Sequence, residues 1–293
     1  MRRVHYAGAT VGRAAKGGDD AFMGGNMKLR SPRRSMMTRA GVIVALAAMT
    51  GAVPLASPAG AATYTYSATG YDASYPQGSS TPPSNTSFAI IGVTHGRPFT
   101  TNPYASTQWS AANNDTSTTP SSLYFNTGYA LAYAKSDTTN CKSSSQMFQP
   151  TGVSGHTLSA LQAAWAIGCS EAAWAVSSEP GTPAMWWADV ETGNSWSTNA
   201  ALNQATITGM VQEMSSTNIP VGVYSTPSMW ASITGSGFVV SGVAGDWQAG
   251  LKTCSSTTSG FTLSASDTHA PLLLAQYGTV NSGGTTYDTD LAC

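Results

Sequence analysis

Two acids one residue apart, Asp189 and Glu191, close the run AMWWADVETGNSW (184–196) in a chain whose charged residues make up only 9%. If residues 185–190 form a strand, side chains alternate between its faces. Trp187, Asp189 and Glu191 then share one side, while Trp186, Ala188 and Val190 take the other. The two carboxylates stand side by side with Cα atoms roughly 7 Å apart. Crowding one carboxylate against another in a partly dry site raises at least one pKa, which leaves a proton donor and a charged partner near neutral pH. That pair is the acid/base equipment of glycoside hydrolysis. An isolated D-x-E more often caps a strand and faces solvent, since perturbed acids mark sites only as a tendency. Here the apolar run before it, the Gly193–Asn194 turn after it and the aromatic residues on both sides favour a site.

The elements that must position the pair are apolar, β-like runs separated by longer stretches, which argues for a parallel, helix-covered sheet. Strands are predicted at 67–74, 88–94, 122–126, 185–190, 221–225, 243–248, 272–277 and 286–291. Helices are predicted in the second half of 95–113, over 157–178, along the apolar stripe 202–214 and over 227–233. A Ser/Thr-rich excursion containing Cys141 follows the third strand and has the length of an insertion at one rim. This order describes an α/β fold, a TIM-like barrel with an incomplete helical jacket of (β/α)5(β)3 type. Active residues of such barrels sit at the C-terminal ends of strands, and Asp72, Asp189, Glu191 and Asp288 are all predicted there.

The first 62 residues differ from the rest. Nine of the thirteen Lys and Arg lie there against two acids, and RSPRRSMMTR is followed by an apolar run and then by small residues. That is the order of a secretory signal peptide, with cleavage expected after Ala61 or Ala62. The Sec route is expected over twin-arginine export, for which Arg33 and Arg34 are the only sign. Residues 63–293 then form one domain, expected outside the cell and, after cleavage, without stable membrane association. That part keeps four bases and twelve acids, a net charge of −8. Nucleic acid is thereby excluded as a partner, since phosphate binding needs clustered Lys and Arg. Four cysteines in a secreted chain with no C-x-x-C favour two disulfides. Three pairings are possible, and the sequence-local ones, Cys141–Cys169 and Cys254–Cys293, are expected.

The motifs GYDASYPQ, IIGVTHGRPFTTNPYASTQW, WWADVETGNSW, VGVYST, LLAQYG and TYDTDL, in that order over about residues 66–293, resemble glycoside hydrolase family 25, the lysozyme-type muramidases. They resemble still more its secreted actinobacterial-type relatives. The resemblance implies Glu191 as general acid and Asp189 as the carboxylate that orients or stabilises the substrate acetamido group, with Asp72 and Asp288 ringing the site. Gln276 and Tyr277 match the family's W-Q-Y segment, although Leu274–Ala275 stand where a Trp is usual. His95 stands in T-H-G where T-E-G is typical, which makes it either a substrate contact or a structural residue.

Tyr71, Trp187, Trp196, Tyr224 and Trp247 are candidate stacking faces for sugar rings, although aromatics dominate cores too. The expected partner is a polysaccharide, with no cofactor or metal, and the chain is expected to be a monomer. Other classes fit the same residues. One is a carbohydrate-binding barrel without turnover. Another is a metal-dependent hydrolase using the acids with His95; a structural wall protein would have no need of four acids at strand ends.

Overall fold

The structure, a computed structural model, describes residues 64–115, 121–129, 141, 158–255, 259–263 and 269–293. The predicted signal peptide and most of the Ser/Thr-rich excursion lie outside the described residues. Eight strands close into a barrel in sequence order: β1 (Thr69–Ala73), β2 (Phe88–Gly92), β3 (Ser122–Asn126), β4 (Trp186–Asp189), β5 (Val221–Ser225), β6 (Val243–Ala249), β7 (Leu272–Ser282) and β8 (Thr285–Ala292). Strands β1 to β7 run parallel, and β8 is antiparallel to both β7 and β1.

Four α-helices follow four of the early strands: α1 (Ala105–Asp115) after β2, α2 (Leu158–Ser177) after β3, α3 (Ala200–Ser215) after β4 and α4 (Pro227–Thr234) after β5. The (β/α)5 expectation therefore changes at its first unit, where the link from β1 to β2 holds only a 3-10 turn, Tyr75–Gln77. Pro76, Pro82 and Pro83 lie in that link. Each proline lacks an N–H and disfavours a helical residue before it, so no full helix forms.

Alternation divides the core into two layers. Phe88, Trp187, Trp247 and Leu274 fill the barrel interior. On the outer face, Ile91, Phe125, Trp186 and Val190 pack with Ile207 and Met210 of α3. Space for the interior rings comes from glycine: a Cβ on Gly222 would lie 2.3 Å from the Trp187 ring. Tyr64 fills the barrel below, with its ring centroid 4.9 Å from that of Phe88 and its hydroxyl 2.5 Å from Ser122 Oγ.

Helices α2 and α3 meet backbone to backbone. A Cβ on Gly168 would lie 1.8 Å from the Thr206 carbonyl oxygen, and one on Gly209 would lie 2.1 Å from that of Trp165. Backbone cannot yield as a side-chain tip can, so Gly209→Ala forces the helices apart. The expected cost is about 3 kcal/mol despite alanine's better helix propensity. Thermal unfolding checks it, and an unchanged Tm would mean that the crossing is looser than described.

The expected disulfides are present. Cys141–Cys169 has Cα atoms 6.0 Å apart and ties the excursion to α2. Cys254–Cys293 has Cα atoms 5.3 Å apart and ties the end of β8 to the segment after β6. In the chain-entropy account each contributes on the order of 3–4 kcal/mol.

Candidate active site

The D-x-E pair sits at the C-terminal end of β4, with Asp189 in the strand and Glu191 two residues on. The segment is held by its main chain. Asp189 O accepts from Thr127 Oγ1 at 2.6 Å and from Asn194 Nδ2 at 3.0 Å. Val190 O accepts from Ser225 Oγ at 2.6 Å, and Glu191 O accepts from Trp196 Nε1 at 2.8 Å. Three successive carbonyls are thus each fixed by a side chain from elsewhere, which aims both carboxyls before any substrate arrives.

Neighbouring strands bring the other acids in. Asp72 on β1 is the cross-strand partner of Asp288 on β8. Facing residues in an antiparallel pair lie on one side of the sheet with Cα atoms about 5 Å apart. Asp288 therefore reaches the same mouth from a reversed strand, in the first half of β8 rather than at the C-terminal end expected for it. The charge of Glu191 acts on both Asp72 and Asp189, and that of Asp288 acts on Glu191, so the four predicted acids converge.

A fifth acid, Asp290, was not expected. It lies two residues past Asp288, on the same face and deeper in the barrel, fully buried. Its Oδ1 accepts from Trp247 Nε1 at 2.8 Å. Its Oδ2 has no donor among the described residues, yet the carboxyl lies within hydrogen-bonding reach of Asp72. Two buried carboxyls in that relation share a proton, which supplies the missing donor. The cue in the sequence is the D-x-D of TYDTDL, the same spacing as the D-x-E.

Burial is the leading cause of a raised pKa at all five. Asp72 is pushed up to about 7, first by burial and then by the charge of Asp288. Asp189 is raised well above the carboxylate range by burial and then by Glu191, and Asp290 by burial and then by Asp72. Glu191 is raised by burial and then by Asp288, and Asp288 by burial alone. Among the described residues, no Lys or Arg contributes to any of these shifts. Partners decide where the protons reside. Asp189 accepts from Asn126 Nδ2, itself held by Thr94, and from Asn194 Nδ2, which favours its ionised form. The Glu191 carboxyl has no such donor among the described residues and opens to solvent, so of this pair Glu191 holds the proton. Since Asp288 helps to keep that proton on, Asp288→Asn lowers the Glu191 pKa. The Glu191 carboxyl then titrates at lower pH by on the order of one unit when followed by NMR, and an unmoved titration counts against their contact.

Of the predicted substrate residues, Tyr224 and Gln276 line the site. Tyr224 OH donates to Gln276 Oε1 at 2.8 Å, and Gln276 Nε2 donates to Asp72 Oδ2 at 2.9 Å. His95 is exposed on the loop after β2, its ring centroid 3.9 Å from that of Tyr75. Tyr277 is exposed at a bulge in β7.

Three stacking assignments are corrected, those of Tyr71, Trp187 and Trp247, while Trp196 is only half-buried. Tyr71 is 1% exposed on the outer face of β1, edge-on to Tyr287. Trp187 is fully buried one layer below Asp189, donating to Tyr64 OH at 3.1 Å. Trp247 lies in the same layer, packed on Tyr224 with centroids 4.4 Å apart. Trp196 packs against the helix-side core while it holds the Glu191 carbonyl. Asn126 and Asp290 belong to the site instead. A further buried acid, Asp246, faces away from it and binds Phe261 N, Thr262 N and Thr262 Oγ1 at 2.6 to 2.9 Å. Among the described residues, the group drawn tightly enough to hold an ion is Cys141, Cys169 and Glu213, whose two thiols form a disulfide.

Three comparisons bear on this arrangement. A family model described as Lysozyme-like protein 1 matches residues 163–249. No curated protein matches the chain. Among solved structures, the muramidase from Trichobolus zukalii aligns at 17% identity over 77% of this chain and 93% of its own, with a TM-score of 0.49. A family GH25 lysozyme from Aspergillus fumigatus aligns at 14% identity over 77% and 93%, with a TM-score of 0.47. The modular autolysin LytC from Streptococcus pneumoniae aligns at 14% identity over 76% of this chain and 46% of its own, with a TM-score of 0.48. The segment from α2 to β6, which carries Asp189 and Glu191, is thus the part of this chain that is similar to a lysozyme-like family.

Proposed function

We propose that the chain is a secreted glycoside hydrolase of muramidase type, acting on a cell-wall or related polysaccharide. The observation that carries this reading is a group of carboxyls, unneutralised by any Lys or Arg among the described residues, gathered at one barrel mouth around the D-x-E pair. Glu191 gives its proton to the glycosidic oxygen as the bond to the anomeric carbon breaks. Asp189, held ionised by its two amide donors, stabilises the positive charge growing on the sugar ring, directly or through the substrate's 2-acetamido group. Water then adds to the anomeric carbon and returns a proton to the enzyme. Asp72 and Asp290 store a proton beneath, and Gln276 fixes Asp72. The two disulfides suit an oxidising compartment, in keeping with export.

The test is reducing-sugar release by the full chain from peptidoglycan, chitin and a β-glucan between pH 4 and 8. Release is expected from at least one N-acetylated polymer and is greatest on the acid side, where Glu191 is protonated. Retained binding with no release from any of the three would replace the enzyme by a carbohydrate-binding barrel.

A further inference from the structure

Strands β7 and β8 do not stop at the barrel rim. Beyond Gln276 the ladder continues through Thr279↔Asp288, Val280↔Tyr287, Asn281↔Thr286 and Ser282↔Thr285. It turns over Gly283 and Gly284, whose φ values of 57° and 83° suit a two-residue hairpin turn. Since Asp288 is already paired with Asp72 near the end of β1, residues 279–287 stand past the rim as an arm.

The two faces of this arm differ. On one, Ser282 Oγ donates to Pro82 O at 3.1 Å, Thr285 Oγ1 lies 2.8 Å from Ser80 Oγ and Tyr287 OH donates to Ser80 O at 3.0 Å. Gln77 Nε2 adds a bond to Thr286 O at 3.0 Å. The arm is therefore fixed from behind. Residues two apart share a face, so the opposite face carries Thr279, Asn281 and Thr286 in line with Asp288. All three are exposed, and their side chains have no hydrogen bond among the described residues.

We propose that Thr279, Asn281 and Thr286 form a glycan subsite, holding a sugar unit beyond the two that flank the bond Glu191 breaks. This rests on the glycosidase reading and adds a specificity element to it. The strip is continuous with Asp288, and the step from Asp288 to Thr286 is about 7 Å, roughly the span of one pyranose ring. Two hydroxyls and a carboxamide supply uncharged donors and acceptors in both senses, which matches ring hydroxyls and an acetamido group. A strip already fixed from behind loses little freedom when a sugar binds.

The experiment compares the wild type with Thr279→Ala/Asn281→Ala/Thr286→Ala on chitin oligosaccharides of two and of six units. It also measures binding of the same oligomers to Glu191→Gln with and without the three changes. The expected result is a KM and a Kd raised on the order of tenfold for the longer oligomer, the effect of one or two lost neutral hydrogen bonds. The dimer and the kcat are unchanged, and Thr279→Ser/Thr286→Ser keeps full affinity. Equal effects on both lengths, or none on either, overturn the subsite while leaving the glycosidase intact. Absence of both cleavage and binding of these oligomers by the parent proteins overturns the subsite, and the glycosidase reading falls with it only where peptidoglycan too is left intact. An unchanged Tm shows that the triple variant is folded, as expected for exposed positions.

Discussion

Glu191→Gln is expected to lower turnover by 10²- to 10⁴-fold, the usual worth of a positioned proton donor, while changing glycan affinity by no more than a few-fold. The amide keeps the shape and most of the polarity of the acid but has no proton to give to a leaving oxygen. The Trp196 bond to the Glu191 carbonyl is main-chain and survives the change, so the segment keeps its place. Reducing-sugar assays paired with calorimetric binding check both halves. Activity near the wild-type level would show that the proton comes from another group, with Asp72 the next to test.

The second large effect is on folding. In the folded protein Asp72 and Asp246 each go from 3.8 to about 7, and Glu191, Asp288 and Asp290 are raised by burial as well. Between about pH 4 and about 7 the native protein thus holds protons that the unfolded chain has released, so the stability gained by burying neutral carboxyls is complete at the acid end and is lost as the pH rises. Each retained proton makes this about 1.4 kcal/mol per pH unit. Tm is expected to fall by on the order of 10 °C from pH 5 to pH 8. Asp72→Asn, which cannot ionise, should flatten the slope. A Tm that rises over this range would mean that the acids are ionised and compensated in the fold.

Much of the frame was legible in the sequence because its signals are local. Apolar runs of β-branched and aromatic residues bounded by Gly, Pro and Asn located each strand, and three- and four-residue apolar spacing located α2 and α3. The departures have physical causes. The prolines between β1 and β2 left four α-helices where a (β/α)5 pattern implies five. The Ser-Gly-Gly-Thr turn at 282–285 extended β7 by five residues beyond the expected end, where a polar sequence had hidden the pairing.

At the site, alternation gave the face of each residue but not its depth. Trp187 shares a side with Asp189 yet lies one layer down, which makes it core. Tyr71, adjacent to Asp72 in β1, had to face away from it. Asp189-x-Glu191 and Asp288-x-Asp290 have the same spacing and opposite outcomes. On parallel β4 the second acid is nearer the opening, whereas on reversed β8 it is deeper. Strand direction, which composition does not carry, separated the solvent-facing acid from the buried one.

The clamped carbonyls at 189–191 set how far the reacting oxygen atoms wander. Thr127, Ser225 and Trp196 come from three different parts of the chain, so loosening any one widens the spread of positions without moving the average. Because a displacement of about 1 Å at a reacting group can cost on the order of a hundredfold in rate, the proposed glycosidase would owe its tolerance to residues that never meet the sugar.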